Sequence, residues 1–322
     1  MPEFTIKHIT SYLYRGEVYD SANQIILYPI SDEYQEVQSQ ELLITGNPQI
    51  AHHTDYYGNK IGTFTVREPH TYLEILSRLK VVTRARPIPE DTIFAGEQWT
   101  ELEKLQKRMP YVDFLNIEHF SFSDEIAAII KTERVQTPFK TALHFCRYVY
   151  ENFEYIPGIT NVETQPDEIW KLKAGVCQDF AHMLLVMLRH IRIPSRYVSG
   201  YICPNKNGMR GEGATHAWVE SFIPGYGWMG LDPTNNCIVN DTHVRLAVGR
   251  NFTDCSPVKG VYRGNPEHQL KVNVTVSYQG DEPEANEYFV VLKPEPVNLI
   301  VKNSFALHQE LMEQQQQQQQ QQ

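Results

Sequence analysis

Residues Gly175–Tyr201, GVCQDFAHMLLVMLRHIRIPSRYVSGY, decide the fold, because they set a cysteine at the start of an apolar helix that is followed by a strand. The apolar residues of this stretch recur at helical spacing in two stripes, which is typical of a buried helix. Gly175 and Pro194 bound the predicted helix, so Cys177 lies in or just before its first turn. The unpaired amides and the positive dipole end of that turn favour a thiolate. A core cysteine at a helix start is the alternative that this stretch alone leaves open.

A second stretch, ATHAWVESFIPGYGWMGLDPTNN at 214–236, predicts a β-hairpin whose turn is its PGYG segment. A turn centred there sets His216 opposite Asp232. It also sets Trp218 opposite Gly230, where the missing side chain makes room for an indole. Opposed residues have Cβ atoms roughly 4.5 to 5.5 Å apart, so the carboxylate can accept a hydrogen bond from the imidazole. A register change of one residue would send one of the two to the other face.

Cys177, His216 and Asp232 have the three residue types of a cysteine-nucleophile site. Cys177 would attack a carbonyl carbon as a thiolate, His216 would protonate the leaving group, and Asp232 would fix the tautomer of the histidine. The backbone N–H of Cys177 is a natural oxyanion donor. A structural cysteine with a cross-strand His–Asp pair is the alternative. The candidates for a second oxyanion donor or a substrate contact are Gln178, Tyr155, Trp170 and Trp218.

Composition excludes several classes of protein. The chain has 322 residues, of which 41% are hydrophobic and 21% are charged, as expected for an ordinary globular protein of one or two domains. A net charge of -10 without a basic stripe argues against nucleic-acid binding. No secretory leader pattern or membrane-length apolar run is present in the sequence. Five cysteines without CxxC spacing predict neither a disulfide framework nor a zinc ribbon, so we expect a cytoplasmic protein.

The order of patterns along the chain predicts an α+β fold. Short alternating stretches between residues 4 and 85 predict an antiparallel β-sandwich or curled sheet. Helical periodicity then runs to the Cys177 helix, and alternation returns from Ser195, which predicts a helical stretch followed by further strands. Alternating stretches at 268–279 and 287–302 are expected to close a sheet or cover its edge. The predicted divisions are an N-terminal β domain at 1–85, a linker at 86–96, a catalytic domain at 97–303 and a disordered glutamine-rich tail at 304–322.

The sequence resembles the transglutaminase-like superfamily, and within it bacterial proteins with an N-terminal β domain. The motifs that carry the resemblance are GVCQDFAHMLL at Gly175–Leu185, IPSRYVSGY at Ile193–Tyr201, THAWVE at Thr215–Glu220 and GWMGLDPTNN at Gly227–Asn236. With IKHITSYLY near the start and VGRNFTDCSPVKGVYRG at Val248–Gly264, the resemblance extends over about residues 4 to 280.

The resemblance implies a transglutaminase-like (papain-like) core of helices packed on an antiparallel sheet, and it implies the same site residues as the hairpin. The family triad falls on Cys177, His216 and Asp232, and family members form an acyl-enzyme thioester that water or an amine resolves. Asn251 departs from the family pattern, because related proteins usually have an acidic residue there. Nothing resembles the calcium-binding loops of animal transglutaminases, so neither a metal nor another cofactor is implied. Adjacent residues His52 and His53 face opposite sides of a strand, which argues against a metal site there as well.

These observations predict a cysteine protease or amidase that hydrolyses a peptide or amide bond. Water resolves the thioester unless the site binds an amine and excludes water, and the sequence shows no lysine-binding feature. Two alternatives stay open, namely a transglutaminase that transfers the acyl group to an amine, and a catalytically silent binding module. The expected partner is a peptide or amide substrate, with no nucleic acid and no membrane.

Overall fold

The computed structural model describes residues 1–117, 119–133, 136–203, 209–211, 215–264 and 267–278. The predicted strand at 287–302 and the predicted glutamine-rich tail lie outside the described residues, as does most of the polar loop at 204–213. Within the described ranges, no helix is both long and apolar enough to cross a membrane.

The N-terminal region is organised around one long strand, β1 (Glu3–Ile25). Alternate side chains of β1, such as those of Phe4, Ile6 and His8, are buried, which confirms the alternation read from the sequence. The strands that follow are β2 (Gln35–Ile44), β3 (Ala51–Thr54), β4 (Lys60–Val66) and β5 (His70–Thr83). Strand β5 pairs with the first half of β1 and β4 with the second half, so β1 connects two sets of strands.

The stretch between residues 95 and 190 is mainly helical, as the change of period predicts. The helices are α1 (Ala95–Leu105), α2 (Ser123–Glu133), α3 (Pro138–Asn152), α4 (Pro166–Leu172) and α5 (Cys177–His190). Two short strands, β6 (Glu154–Tyr155) and β7 (Ala174–Gly175), pair in parallel between them. Helix α5 is the central one, since Phe180, Leu184 and Leu188 on it have no exposed surface. Its apolar stripes therefore predict its burial correctly.

An antiparallel sheet of five strands packs against α5. Its strands are β8 (Ser195–Ile202), β9 (Thr215–Ile223), β10 (Gly227–Asp232), β11 (Cys237–Ile238) and β12 (His243–Gly249). Their order in space is β11-β10-β9-β8-β12, and α5 lies against β8 and β9. The combination of a β region with helices on an antiparallel sheet confirms the α+β fold class.

The last described elements return the chain to the N-terminal region. They are the short helix α6 (Phe252–Cys255) and the strands β13 (Val258–Arg263) and β14 (His268–Tyr278). Strand β13 pairs with the second half of β1 and β14 with the first half. The alternating pattern identifies these strands but does not say which sheet they join. Residues 258–278 fall inside the 97–303 segment predicted as the catalytic domain, yet they lie in the N-terminal sheet.

Buried polar contacts join the two sheets. Glu220 on β9, with 1% of its side chain exposed, accepts hydrogen bonds from Arg196 at 2.8 and 2.6 Å and lies 3.5 Å from Arg245. Arg245 also pairs with Asp32, which follows β1. Burial alone would raise the pKa of Glu220, but the arginines hold it below its usual value. The ion pairs therefore fix the N-terminal region against the sheet that carries the hairpin.

Candidate active site

Cys177 is the first residue of α5, as the sequence predicts. A first residue has no acceptor for its N–H inside its own helix, so this amide is available to a ligand. The side chain is half-buried and packs against the core that surrounds α5. The preceding strand β7 sets Gly175 beside Tyr155 of β6, which fixes the approach of the chain to the cysteine.

Asp179 closes the start of the same helix. Its Oδ2 atom accepts hydrogen bonds from the backbone N–H of Val176 at 2.7 Å and from Oγ1 of Thr160 at 2.6 Å. Burial raises the pKa of Asp179, and these two hydrogen bonds partly oppose the rise. A Cβ atom on Gly175 would lie 2.6 Å from Cβ of Asp179, so only glycine fits there. The sequence signal for this cap is an acidic residue at the third helical position, which the sequence reasoning missed.

The hairpin brings His216 and Asp232 together, but its register differs from the predicted one. The turn has three residues, Pro224–Tyr226, rather than four, and Gly230 pairs with Glu220 rather than with Trp218. The two strands are thus displaced by two residues, which preserves the face of every side chain. His216 and Asp232 are diagonal neighbours on one face, and Nε2 of the histidine lies 2.9 Å from Oδ2 of the aspartate.

Asp232 is fully buried and held by its own turn. Its Oδ1 atom accepts from the backbone N–H groups of Thr234 at 2.9 Å and Asn235 at 3.3 Å. Its Oδ2 atom receives Nδ2 of Asn235 at 2.7 Å in addition to His216. Burial alone would raise the pKa of Asp232, but the charge and hydrogen bond of His216 and the hydrogen bond of His243 hold it well below its usual range. The carboxylate therefore stays ionised although it is buried.

His216 is buried between Asp232 and Cys177. Burial lowers the pKa of His216, but Asp232 and the Cys177 thiol outweigh that effect and raise it to about 10. Nε2 faces Asp232, while Nδ1 is buried and has no nitrogen or oxygen partner among the described residues. The protonated ring is therefore favoured near neutral pH, and Nδ1 is the ring atom left for the sulfur. This arrangement matches the predicted triad; the catalytic roles themselves remain a prediction.

Trp218 is a core residue, contrary to its prediction as a substrate contact. Its side chain is fully buried and lies edge-on to His243 with ring centroids 5.2 Å apart. The glycine that makes room for the indole is Gly200 on β8, since a Cβ there would lie 2.6 Å from Cη2 of Trp218. Gly230 instead makes room for Val239, 2.5 Å from its hypothetical Cβ. Trp218 therefore packs against the rings of His216 and His243.

The other predicted candidates fall into two groups. Trp170 is buried, and its indole N–H donates to Glu125 at 2.9 Å, so it is not a free oxyanion donor. Gln178 is half-buried on the residue after Cys177, and Tyr155 is half-buried on β6 beside Gly175. These two remain predictions for the second donor.

Three residues that sequence reasoning missed complete the surroundings of the triad. His243 on β12 places Nε2 3.3 Å from Oδ2 of Asp232, and its Nδ1 lies 3.1 Å from Oγ1 of Thr242. Asn235 fixes both Asp232 and the backbone of Arg210. The DPTNN turn could have indicated Asn235, because asparagine in such turns bonds its neighbours. No local signal indicates His243 or Arg210, since strand pairing and loop placement bring them to the site.

The histidines and the aspartate could also hold a metal ion in principle. One ligand atom from each of His216, Asp232 and His243 lies within 4.8 Å of the others. A metal there would take the Nε2 atoms that now face Asp232, and it would remove the hydrogen bond that orients His216. The hydrogen-bonded triad and a metal centre are therefore alternative uses of the same atoms.

Comparison with known proteins identifies the family. The "Transglutaminase-like superfamily" profile matches residues 125–233, and the "Bacterial transglutaminase-like N-terminal region" profile matches residues 4–82. An uncharacterized Mycobacterium leprae protein, ML0607, is 31% identical over 277 residues, which cover 84% of this chain and 97% of that protein. The chain belongs to the transglutaminase-like superfamily. In this transglutaminase-like protein, the region matched by the superfamily profile, residues 125–233, contains Cys177, His216 and Asp232.

Two further proteins are similar to this chain. A Cytophaga hutchinsonii protein named "Putative Cysteine Protease" has a crystal structure that matches with a TM-score of 0.68 at 21% identity, covering 89% of this chain and 95% of that one. It shows the same fold. The Pseudomonas aeruginosa protein-glutamine gamma-glutamyltransferase is 25% identical over 162 residues, which are 47% of this chain and 24% of that enzyme.

Proposed function

We propose that this transglutaminase-like protein is a cysteine amidohydrolase that cleaves a peptide or amide bond through a thioester on Cys177. One observation carries the proposal: the His216 ring is held at 2.9 Å by the ionised Asp232 and also neighbours the thiol at the start of α5. A nucleophile, a base oriented by an acid, and a free helix amide are the parts that acyl transfer requires.

The acylation step follows from these positions. The Cys177 thiolate attacks the carbonyl carbon, a C–S bond forms, and the oxygen takes the negative charge beside the Cys177 N–H. The C–N bond then breaks, and the proton on Nδ1 of His216 passes to the departing amine. In the second step water gives a proton to His216 and attacks the thioester, and the C–S bond breaks to release a carboxylic acid. Asp232 keeps the ring orientation constant through both steps.

Cys177 also differs from the other cysteines of the chain. Burial raises the pKa of Cys237 to about 12, and it raises the pKa values of Cys146, Cys203 and Cys255 well above their usual range. Those four thiols are therefore poor nucleophiles near neutral pH. The half-buried Cys177 at a helix start is the cysteine in a suitable environment.

Transfer to an amine is the second candidate, and the similarity to a protein-glutamine gamma-glutamyltransferase favours it. Both reactions share the thioester and differ in what resolves it. An amine competes with water only if the site binds the amine and excludes water. The triad contacts are compatible with both, so the distinction requires a measurement of products.

Incubation with a glutamine-containing peptide and a labelled primary amine tests both reactions together. Ammonia release without incorporation of the amine supports hydrolysis, and incorporation of the amine supports transfer. Cys177→Ala should abolish both reactions, whereas Cys146→Ala should retain them. A wild-type protein that retains its fold but whose Cys177 reacts with iodoacetamide no faster than Cys146 would refute the proposal and leave the binding module.

A further inference from the structure

We propose that Arg210 binds a carboxylate of the substrate, so that the natural substrate is an amide with a free carboxylate near the bond that is cleaved. The inference rests on the proposed function, because it assigns a substrate class to the same site. Three features of Arg210 support this role, namely its backbone position, the contacts of its guanidinium and the absence of an acidic partner in the described part of the chain.

The backbone around Arg210 lies beside the His216 ring. Gly211, the residue after Arg210, has a positive φ of 79°, and a Cβ on it would lie 2.9 Å from Nδ1 of His216. Nδ1 is the ring atom left for the sulfur of Cys177. The short described segment around Arg210 therefore passes close to the His216 ring, and only a glycine allows this approach.

Hydrogen bonds to Asn235 fix the backbone of Arg210 in this position. The N–H of Arg210 donates to Oδ1 of Asn235 at 2.7 Å, and Nδ2 of Asn235 lies 3.2 Å from the carbonyl oxygen of Arg210. The same Nδ2 donates to Oδ2 of Asp232 at 2.7 Å. One asparagine thus ties the arginine to the acid of the triad. Such support reduces the entropy that is lost when the arginine binds a ligand.

The guanidinium of Arg210 contacts two tyrosine rings. It lies over the ring of Tyr150 on α3 at 4.7 Å and near the ring of Tyr155 on β6 at 5.9 Å. Tyr155 pairs with Gly175, two residues before Cys177. The cation therefore lies within cation–π range of two aromatic rings, one of which belongs to the strand that pairs beside the approach to Cys177.

The guanidinium of Arg210 has no acidic partner in the described parts of the chain, and its Nη1 is a buried donor without an acceptor there. Other arginines close to this sheet have acceptors: Arg196 and Arg245 bind Glu220, and Arg189 donates to the carbonyl oxygen of Ser195. A buried donor on a charged group costs free energy unless it is paired. A planar guanidinium binds carboxylates in a bidentate manner, so a substrate carboxylate would supply the missing acceptors.

The experiment compares alkylation of Cys177 by iodoacetate, which carries a carboxylate, and by iodoacetamide, which is neutral. The rates are measured in the full chain for the wild type, Arg210→Gln, Arg210→Lys and the matched control Arg147→Gln. Arg147 lies on α3, is exposed and pairs with Glu151, so its substitution removes the same charge away from the site. Alkylation of Cys177 requires no substrate and no turnover.

We expect Arg210→Gln to lower the ratio of the iodoacetate rate to the iodoacetamide rate about tenfold, which corresponds to the loss of a charge-assisted contact. Arg210→Lys should restore part of the ratio, and Arg147→Gln should keep the wild-type value. An equal ratio in Arg210→Gln and Arg147→Gln, with normal iodoacetamide reactivity, overturns the inference and leaves the proposed function intact. A folded wild-type protein whose Cys177 reacts with neither reagent would instead contradict the proposed function.

Paired peptides then identify the source of the carboxylate. One pair has Glu or Gln next to the amide that is cleaved, and another has a free or an amidated C-terminus at that place. The pair recognised by Arg210 should show a ratio of kcat/KM values that falls about tenfold in Arg210→Gln. Equal ratios in wild type and variant for both pairs would overturn the inference.

Discussion

Nε2 of His243 lies 3.3 Å from Oδ2 of Asp232, on the same oxygen that Nε2 of His216 approaches at 2.9 Å. The two histidines come from different strands, β12 and β9. Burial lowers the pKa of His243 although Asp232 opposes the effect, so this ring is neutral near pH 7, whereas the pKa of His216 is raised to about 10. One carboxylate therefore binds a charged imidazole and a neutral one, and the neutral one positions the acid.

Replacement of His243 tests this positioning role. His243→Leu removes one donor from the buried carboxylate and should lower kcat/KM about tenfold, because a hydrogen bond to a charged group is worth roughly 1.5 to 3 kcal/mol. His243→Gln retains an N–H donor and should recover much of the activity. Equal activities for His243→Leu and His243→Gln would show that the donor has no part in positioning Asp232.

Asp232→Asn should lower the pKa of His216 from about 10, because it removes the negative charge that counters burial. The loss of activity at high pH, where His216 becomes neutral, should then begin at a lower pH. Titration of the His216 ring protons by NMR measures the shift directly. Asp20→Asn, at an exposed carboxylate of the N-terminal sheet, is the control and should leave the pKa of His216 unchanged.

Gly200→Ala should destabilise the fold. A Cβ there would collide with the carbonyl oxygen of Val244 and lie 2.6 Å from Cη2 of Trp218, and neither can move freely inside the core. We expect the free energy of unfolding to fall by about 1 to 3 kcal/mol in chemical denaturation. Gly96→Ala on α1 meets only the exposed Phe94 ring at 3.3 Å, so it should be neutral or slightly stabilising. A similar loss for both variants would contradict the steric explanation.

Glu220→Gln should cost far more than a matched surface change. It removes the buried counter-charge of Arg196 and leaves Arg245 with Asp32 alone, and breaking such a buried pair costs about 3 to 5 kcal/mol. Glu267→Gln removes a pair with Arg15 in which both side chains are at least 75% exposed, so its effect should stay within about 1 kcal/mol. Denaturation midpoints of the two variants measure the difference, and equal losses would refute the role assigned to the buried pair.

Stability should fall as the pH drops from about 6.5 to about 4. Burial lowers the pKa values of His8 and His182 to about 4, so in this window the unfolded chain binds protons that the folded chain does not. The loss should be roughly 1 to 3 kcal/mol for each histidine. The double variant His8→Leu/Tyr201→Phe removes a buried hydrogen-bonded pair and should flatten the pH dependence of the unfolding free energy. The exposed His53→Leu should not change it.

Local pattern was sufficient to predict Cys177 at the start of α5, because helical periodicity and the bounding Gly175 both act within a few residues. The hairpin was predicted with the wrong register, since the length of its turn depends on backbone conformation. His216 and Asp232 are still neighbours, because a displacement by two residues keeps side chains on the same face. The N–H of Trp170 is taken by Glu125, a contact between distant helices that no local pattern contains.

The site features that the sequence did not predict depend mainly on contacts between strands that are distant in sequence. His243 reaches Asp232 only because β12 pairs with β8 at the edge of the sheet. The N-capping role of Asn251 was not predicted either: its side chain accepts from the N–H groups of Thr253 and Asp254, a role that either an amide or an acid can fill.

The pairing of β1 with β13 and β14 gives the chain the topology of an insertion. The helices and the five-stranded sheet with the triad are spliced between β5 and β13, and both of their ends are anchored in the same N-terminal sheet. During synthesis on the ribosome, β1 therefore pairs with strands that lie more than about 230 residues further along the chain, and such distant pairing slows folding. Removing residues 1–85 would deprive β14 of its neighbour β1, so the segment that contains Cys177, His216 and Asp232 cannot be separated by a single cut.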